Sequence, residues 1–297
     1  MTIPLFKPQT EWLPPTDFPD LSSYEEISID LETKDPQLKS MGSGAITGQG
    51  DVTGLAVAVK NWSGYYPIAH EGGGNMDRKK VLKWFQDVLN TPAIKIFHNA
   101  MYDVCWIRHL GLKIHGRIVD TMIACALVDE NQYRYDLNNC AKRYTGKGKD
   151  ESALYAAAKE WGIDPKVEMY KLPAMYVGAY AEKDAEITLE LWQELKKEIE
   201  IQDIGSIFQL EVDLFPCLVE MRFLGVRVNQ EQAINEKKIL VEQEQKLLRA
   251  IRHETDIEVQ IWAARSIAKI FDKLKLPYDR TIKTRAPSFT KNFLAHH

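Results

Sequence analysis

Ile27-Ser-Ile-Asp-Leu-Glu32 reads as one strand. Ile27, Ile29 and Leu31 alternate with Ser28, Asp30 and Glu32, so period two sends both carboxylates to one face and the aliphatics to the other. Two acids on one strand face repel each other unless a cation lies between them. Their hard oxygens suit Mg²⁺ or Mn²⁺, and the Cys/His set that zinc prefers does not accompany them. Standing alone, the D-x-E triplet also reads as a polar strand end, since about one is expected by chance in a chain this long.

Two further acidic stations follow. In Phe97-His-Asn-Ala-Met-Tyr-Asp103, the apolar Ile94–Phe97 reads as a buried strand and Asn99 as the cap of a helix. Val104, Ile107 and Leu110 recur at helical spacing, and Gly111 closes the element. Asn99 and Asp103, four apart, share one face, although a cap followed by a dipole-favoured acid is an ordinary helix start. Tyr180-Ala-Glu-Lys-Asp184 lies on the longest helical run, about Pro173 through Glu200, with Ile187, Leu191 and Leu195 at core-facing spacing. Tyr180 one turn ahead of Asp184 is placed to hold a water beside the carboxylate, or simply to be half-buried next to a solvated acid. Three such stations, on a strand, a strand-to-helix junction and a late helix, argue together for a metal-dependent site.

The remaining elements frame these stations. Gly- and Ser-rich Met41–Gly50 links the first strand to strands at about Val52–Val59 and Tyr65–Ile68, and Glu71-Gly-Gly-Gly-Asn75 turns into a helix over Asp77–Leu89. The glycines fit no phosphate-loop pattern and read as a turn. Lys142-Arg-Tyr-Thr-Gly-Lys-Gly-Lys149 is a basic loop, suited to the backbone of a single strand or to free motion at the surface. The expected architecture is α/β: a mixed sheet with helices on both faces burying Ile29, Leu31, Val57, Phe97, Ile107 and Leu191, and the acids at its open end.

Among 297 residues, 45% are hydrophobic and 27% charged, as in a globular protein with one large domain and a smaller appendage. No apolar run reaches membrane-span length and no signal peptide precedes the first strand, so no membrane partner is expected. Cys105, Cys125, Cys140 and Cys217 are scattered, which suits reduced thiols in a cytoplasm and small buried hydrophobes. The net charge of −4 conceals an asymmetry. Residues 1–226 carry 24 Lys and Arg against 33 Asp and Glu, whereas residues 227–297 carry 14 against 9. A basic tail supplies sequence-independent attraction to phosphates.

The three stations together, Asp30-Leu-Glu32-Thr33, Asn99 through Asp103 and Tyr180 through Asp184, resemble the DEDDy branch of the ribonuclease H-like exonucleases. Within that branch the chain is similar to the proofreading domain of phage-like family A DNA polymerases. Tyr180, where a sister branch has histidine, selects the subclass. Asp120-Thr-Met-Ile-Ala and Tyr135-Asp-Leu-Asn-Asn-Cys-Ala-Lys-Arg-Tyr144 look like the family's intervening helices, and the segment around Phe223-Leu-Gly-Val-Arg-Val228 resembles the start of a polymerase thumb. The implied organisation is a lead-in over 1–20, an exonuclease domain over 21–202 and a helical thumb-like segment over 203–297.

The resemblance also implies chemistry. Asp30 would bridge two Mg²⁺ ions about 4 Å apart, replaceable by Mn²⁺, with Glu32 and Asp184 completing one site and Asp103 serving the other. Tyr180 would orient the attacking water, and Asn99 and the backbone at Thr33 would hold the terminal nucleotide. The implied partners are a single-stranded DNA 3′ end or primer-template and the remaining polymerase portion, in a bacterial or phage-infected cytoplasm. No counterpart of the palm or fingers is found through His297, so polymerase activity is not expected of this chain. A ribonuclease D-like RNA 3′ exonuclease and a scaffold for a separately encoded polymerase portion are the alternatives.

Overall fold

A computed structural model describes residues 10–296; the first nine residues of the lead-in and His297 lie outside it. The chain divides into two compact units, one running to Gly225 and the other from Val226.

The first unit is built on a five-stranded mixed sheet of order β3-β2-β1-β4-β5. Strand β1 (Glu26–Lys34) is followed by two single-turn helices, α1 (Leu38–Met41) and α2 (Gly44–Thr47), the second of them inside the Met41–Gly50 stretch read as a link. Strands β2 (Asp51–Val59) and β3 (Trp62–Pro67) complete an antiparallel meander with β1. Helix α3 (Arg78–Asn90), capped by the Asp77 carboxylate accepting from the Lys80 amide, leads to β4 (Ile94–Phe97), which pairs parallel to β1. Helix α4 (Ala100–His109) then carries the chain to β5 (Ile118–Asp120), a parallel edge strand that the sequence reading did not contain. Three residues are too few for a periodicity to register.

Helices α5 (Thr121–Val128), α6 (Leu137–Thr145), α7 (Ser152–Trp161) and the short α8 (Pro165–Glu168) precede the 24-residue α9 (Gly178–Ile201). The last begins at Gly178 and not at Pro173, because Ala174–Tyr176 form a separate 3-10 turn. Helix α10 (Gly205–Leu224) closes the unit.

Alternation along β1 sorts the two layers. Ile27, Ile29 and Leu31 pack with Leu55 and Val57 of β2 against Val81, Phe85 and Leu89 of α3 and Ile107 of α4. The opposite face carries Ser28, Asp30 and Glu32 beneath α9. There Ala56 and Ala58 of β2 meet Ala181 and Ala185 of α9. Small side chains on both partners let the helix lie close to the sheet. All six residues expected in the core are buried: Ile29, Leu31, Val57, Phe97, Ile107 and Leu191.

The division at Gly225 falls beyond residue 202, where the expected exonuclease domain ends. Helix α10 stays with the sheet because Phe208, Phe215 and Val219 are buried in its cores. Its last turn is held by Arg108, which pairs with Glu220 and lies 4.1 Å from the centre of the Phe223 ring.

The second unit contains α11 (Gln230–Thr255), α12 (Ala264–Lys273), a two-residue hairpin of β6 (Asp279–Arg280) with β7 (Pro287–Ser288), and α13 (Lys291–His296). Phe271, Tyr278, Phe289 and Phe293 form an aromatic cluster with ring centres 4.9–6.1 Å apart. Cys105, Cys125 and Cys140 are buried free thiols, as expected, whereas Cys217 is exposed. Among the described residues no helix is long and apolar enough to cross a membrane.

Candidate active site

The site lies where β1 outruns its neighbour. Strand β4 pairs with β1 only as far as Ser28, opposite Ile96. Beyond that point the Leu31 amide takes a side-chain acceptor, Asp103 Oδ1 on the first turn of α4, at 3.0 Å. This bond brings the second station against the first. On the other side of β1, the register with β2 slips between Glu32 and Thr33 and skips Thr53. Such a bulge sharpens twist and re-aims neighbouring side chains.

Glu32 faces Gly54 on β2, and that glycine is required. A Cβ there would stand 2.0 Å from the Tyr65 hydroxyl. Tyr65 in turn lies 2.6 Å from His70 Nε2, while His70 Nδ1 lies 3.1 Å from the Leu172 carbonyl. A carbonyl only accepts, so Nδ1 carries the proton and Tyr65 donates to Nε2. Burial holds the imidazole neutral, with its pKa lowered to about 4. The pair forms a fixed wall beside Glu32, whose charge, after burial, raises the Tyr65 phenol's pKa.

Helix α9 brings the third station. Its Glu182 accepts the Tyr65 amide of edge strand β3, Glu186 accepts from Ser63, and Lys196, Trp192 and Gln193 all bond Glu26 at the start of β1. Stitched at both ends, the helix sets Asp184 beside Asp30 and Glu32. Glu32, Asp103 and Asp184 are buried at 8%, 5% and 4% exposure, and Asp30 is half-buried.

The electrostatics record their proximity. Burial first and the Asp184 charge second push Asp30 up to about 7. Glu32 is raised well above the usual range by burial, then by Asp30 and Asp184. Asp103 is raised by burial and by Asp30, against the Leu31 amide bond. The Tyr180 phenol is raised by burial, then by Asp184, Glu32 and Asp30. Asp30, Glu32, Asp103, Tyr180 and Asp184, from β1, α4 and α9, therefore lie in one poorly solvated cluster.

Convergence on one point is a different matter. Among the described residues no three Asp, Glu, His or Cys side chains are arranged to hold a metal ion together. Two oxygens of the set already have partners. Asp103 Oδ1 takes the Leu31 amide, and Asp184 Oδ2 takes the Lys149 ammonium at 2.5 Å. Nevertheless the donors fit a hard cation: all are carboxylate oxygens, and Asp184 Oδ1 is buried without a partner among the described residues.

Asn99 departs from its expected role. It sits at the start of α4 in the left-handed region (φ 66°, ψ 50°), and its side chain makes no capping bond. Asp120 does the capping instead, accepting from the Asn99 and Ala100 amides at 2.9 and 2.8 Å while also capping α5 through Met122. The Asn99 side chain is left exposed at the rim. The Thr33 hydroxyl is 2.7 Å from the Tyr102 hydroxyl, which also bonds Asp35. The sequence gives Asp120 no role and reads Lys149 only as part of a basic loop, since neither long-range bond leaves a periodic trace.

Comparison with known proteins agrees with this geometry. Residues 18–200 match the 3′–5′ exonuclease family found in family A DNA polymerases. The chain belongs to that family. It is 32% identical over 98% of its length to a DNA-directed DNA polymerase of Pseudomonas phage M6, covering 45% of that protein. It is 28% identical to DNA polymerase DpoZ of Salmonella phage PMBT28, over 87% of this chain and 40% of the relative. With DNA polymerase I of Pseudomonas aeruginosa it shares 26% identity over 93% of this chain and 30% of the relative. The chain thus spans less than half the length of these curated relatives. Its fold also resembles the polymerase domain of Pol1 from M. smegmatis, with TM-score 0.60 over 93% of this chain and 42% of that one, at 17% identity. The exonuclease domain is thus of the phage-like family A polymerase type.

Raised carboxylate pKa values carry a consequence for stability. Between the ordinary Asp range and about 7, the folded state binds a proton at Asp30 that the unfolded chain has released. Stability in chelator should therefore fall as pH rises from 5 to 7. Asp30→Asn should flatten that slope and melt higher than the parent at pH 8. Thermal melts across this window decide it; a parent curve that is flat or rising contradicts the clustering.

Proposed function

We propose that the chain is a two-metal 3′–5′ exodeoxyribonuclease acting on single-stranded or frayed DNA ends, as the proofreading part of a family A polymerase. The observation that carries this reading is the gathering of four carboxylates and Tyr180 in one pocket of a chain that belongs to the 3′–5′ exonuclease family. Relatives that are DNA polymerases support DNA over RNA as substrate.

Asp30, Glu32 and Asp184 would hold one divalent ion, and Asp30 with the free oxygen of Asp103 the other. When bound, such ions activate water and neutralise charge on the departing oxygen. Tyr180 orients the water for in-line attack on the last phosphorus; the bond to the 3′-oxygen breaks and a nucleoside 5′-monophosphate leaves. Exposed Asn99 and the backbone at Thr33 hold the terminal nucleotide. Duplex ends react slowly, because the last pair must first unstack at a cost of a few kcal/mol, which mismatches lower. The basic residues 265–291, with eight Lys and Arg against two Asp, hold duplex phosphates.

Asp30→Ala should abolish digestion of a 3′-mismatched primer while leaving a folded protein. Retention of a tenth or more of the parent rate, an order-of-magnitude threshold for losing a bridging ligand, would remove Asp30 from the site. A matched RNA oligomer run alongside should be cut far more slowly.

Tyr180→Phe removes only a hydroxyl, so turnover should drop by about 10- to 1,000-fold with metal affinity unchanged. A variant that keeps its maximal rate but needs more Mg²⁺ would make Tyr180 a structural neighbour.

Removing residues 226–297 should leave cleavage of very short oligomers nearly intact and weaken primer-template binding, with a shallower salt dependence. Unchanged affinity and slope in the folded truncation would end the DNA-holding role.

A further inference from the structure

We propose that Lys149 is a tethered counter-ion of the acidic site, its ammonium standing beside Asp184 where a divalent cation would bind, so that metal enters by displacing it. The inference rests on the metal-site reading above and adds a residue to it that is not a ligand.

The placement is specific. Of the lysines at 142, 147 and 149, only Lys149 is drawn inward; Lys142 and Lys147 are exposed. Its side chain is 10% exposed and that of Asp184 6%. Lysine is almost never so enclosed without a charge partner. The ammonium bonds Asp184 Oδ2 at 2.5 Å and lies 5.2 Å from the centre of the Tyr180 ring. Its positive charge also reaches Asp30 and Glu32, easing the ionisation of both. One ammonium thus serves three of the four carboxylates.

The loop between α6 and α7 delivers it. The Lys149 amide donates to Asn138 Oδ1 at 3.0 Å, and Lys147 bonds both oxygens of Glu190 on α9 at 2.9 Å. Glycines at 146 and 148 flank the lysines, with Gly146 at φ 70°. The pairing is nonetheless incomplete. Asp184 Oδ1 stays without a partner, and the ammonium makes a single hydrogen bond although it has three protons to give, both among the described residues. A divalent ion that accepts several oxygens at once satisfies this set better than a monovalent donor held by one.

The test is Mn²⁺ binding to the full chain without nucleic acid, followed by the electron paramagnetic resonance signal of free Mn²⁺. Lys149→Met keeps the apolar stem and removes the charge. It should bind Mn²⁺ roughly tenfold more tightly, the scale on which one nearby opposite charge shifts a carboxylate's affinity for a cation. Affinity within twofold of the parent or weaker, with Asp184→Asn still impairing binding, would overturn the role of Lys149 and leave the metal site standing. Binding indifferent to Asp184→Asn would defeat the metal-site reading and this inference with it. A second measurement needs no variant. In the parent, an amine-acylating reagent read by mass spectrometry should modify Lys149 several-fold faster with Mn²⁺ than with chelator, and Lys142 equally in both. Equal rates at Lys149 refute the displacement.

Discussion

Like charges brought together away from water are the constraint around which this molecule is organised. Two ionised carboxylates about 4 Å apart at an effective dielectric of about 20 repel by on the order of 4 kcal/mol, a large share of the net stability of a domain. For Asp30, Glu32 and Asp103, burial first and neighbouring carboxylates second raise the pKa, so the metal-free fold keeps protons there that the unfolded chain would lose. The rest of the first unit reads as the means of sustaining that cluster. Two apolar layers clamp the sheet, α9 is bonded to β3 and to the start of β1, and alanines of α9 and β2 meet between helix and sheet.

Much of this was legible because it is local. Period two along residues 27–32 marks both the strand and the separation of its faces, and the helix expected over Asp77–Leu89 lies within one residue of α3 at each end. What escaped is non-local or short. Strand β5 has three residues, and α9 looked longer because a 3-10 turn shares the helix's spacing. Asn99 was read as a cap from its residue type. The same type also tolerates positive φ, and here the backbone turn is what uses it, while Asp120, 21 residues later, bonds the amides. Lys149 belonged to a loop whose charge suggested contact with phosphate; its actual partner, 35 residues on, is one of the acids already singled out.

Partners distinguish the acids of this pocket more sharply than burial does. Asp120 is as buried as Glu32, yet its oxygens accept from the amides of Asn99, Ala100 and Met122, so it is spent on joining two helix starts to the sheet. Asp103 commits one oxygen to tying α4 to β1. Asp184 keeps one oxygen on a lysine and one on nothing among the described residues. Along that series fewer oxygens are committed to holding the backbone.

The series also explains why the same bonds that build the fold prepare the site. The Leu31 amide needs an acceptor because β4 stops at Phe97, and the acceptor it receives is an acid that then faces two others. Ending this interior strand early leaves β1 to run on alone, and closing the orphaned amide with Asp103 instead of a neutral side chain adds an acid beside Asp30 and Glu32. A neutral amide at residue 103 would satisfy Leu31 as well and repel nothing. The strain kept there is therefore not required by the fold, and under the proposed function a cation that removed it would be held by the repulsion it relieved.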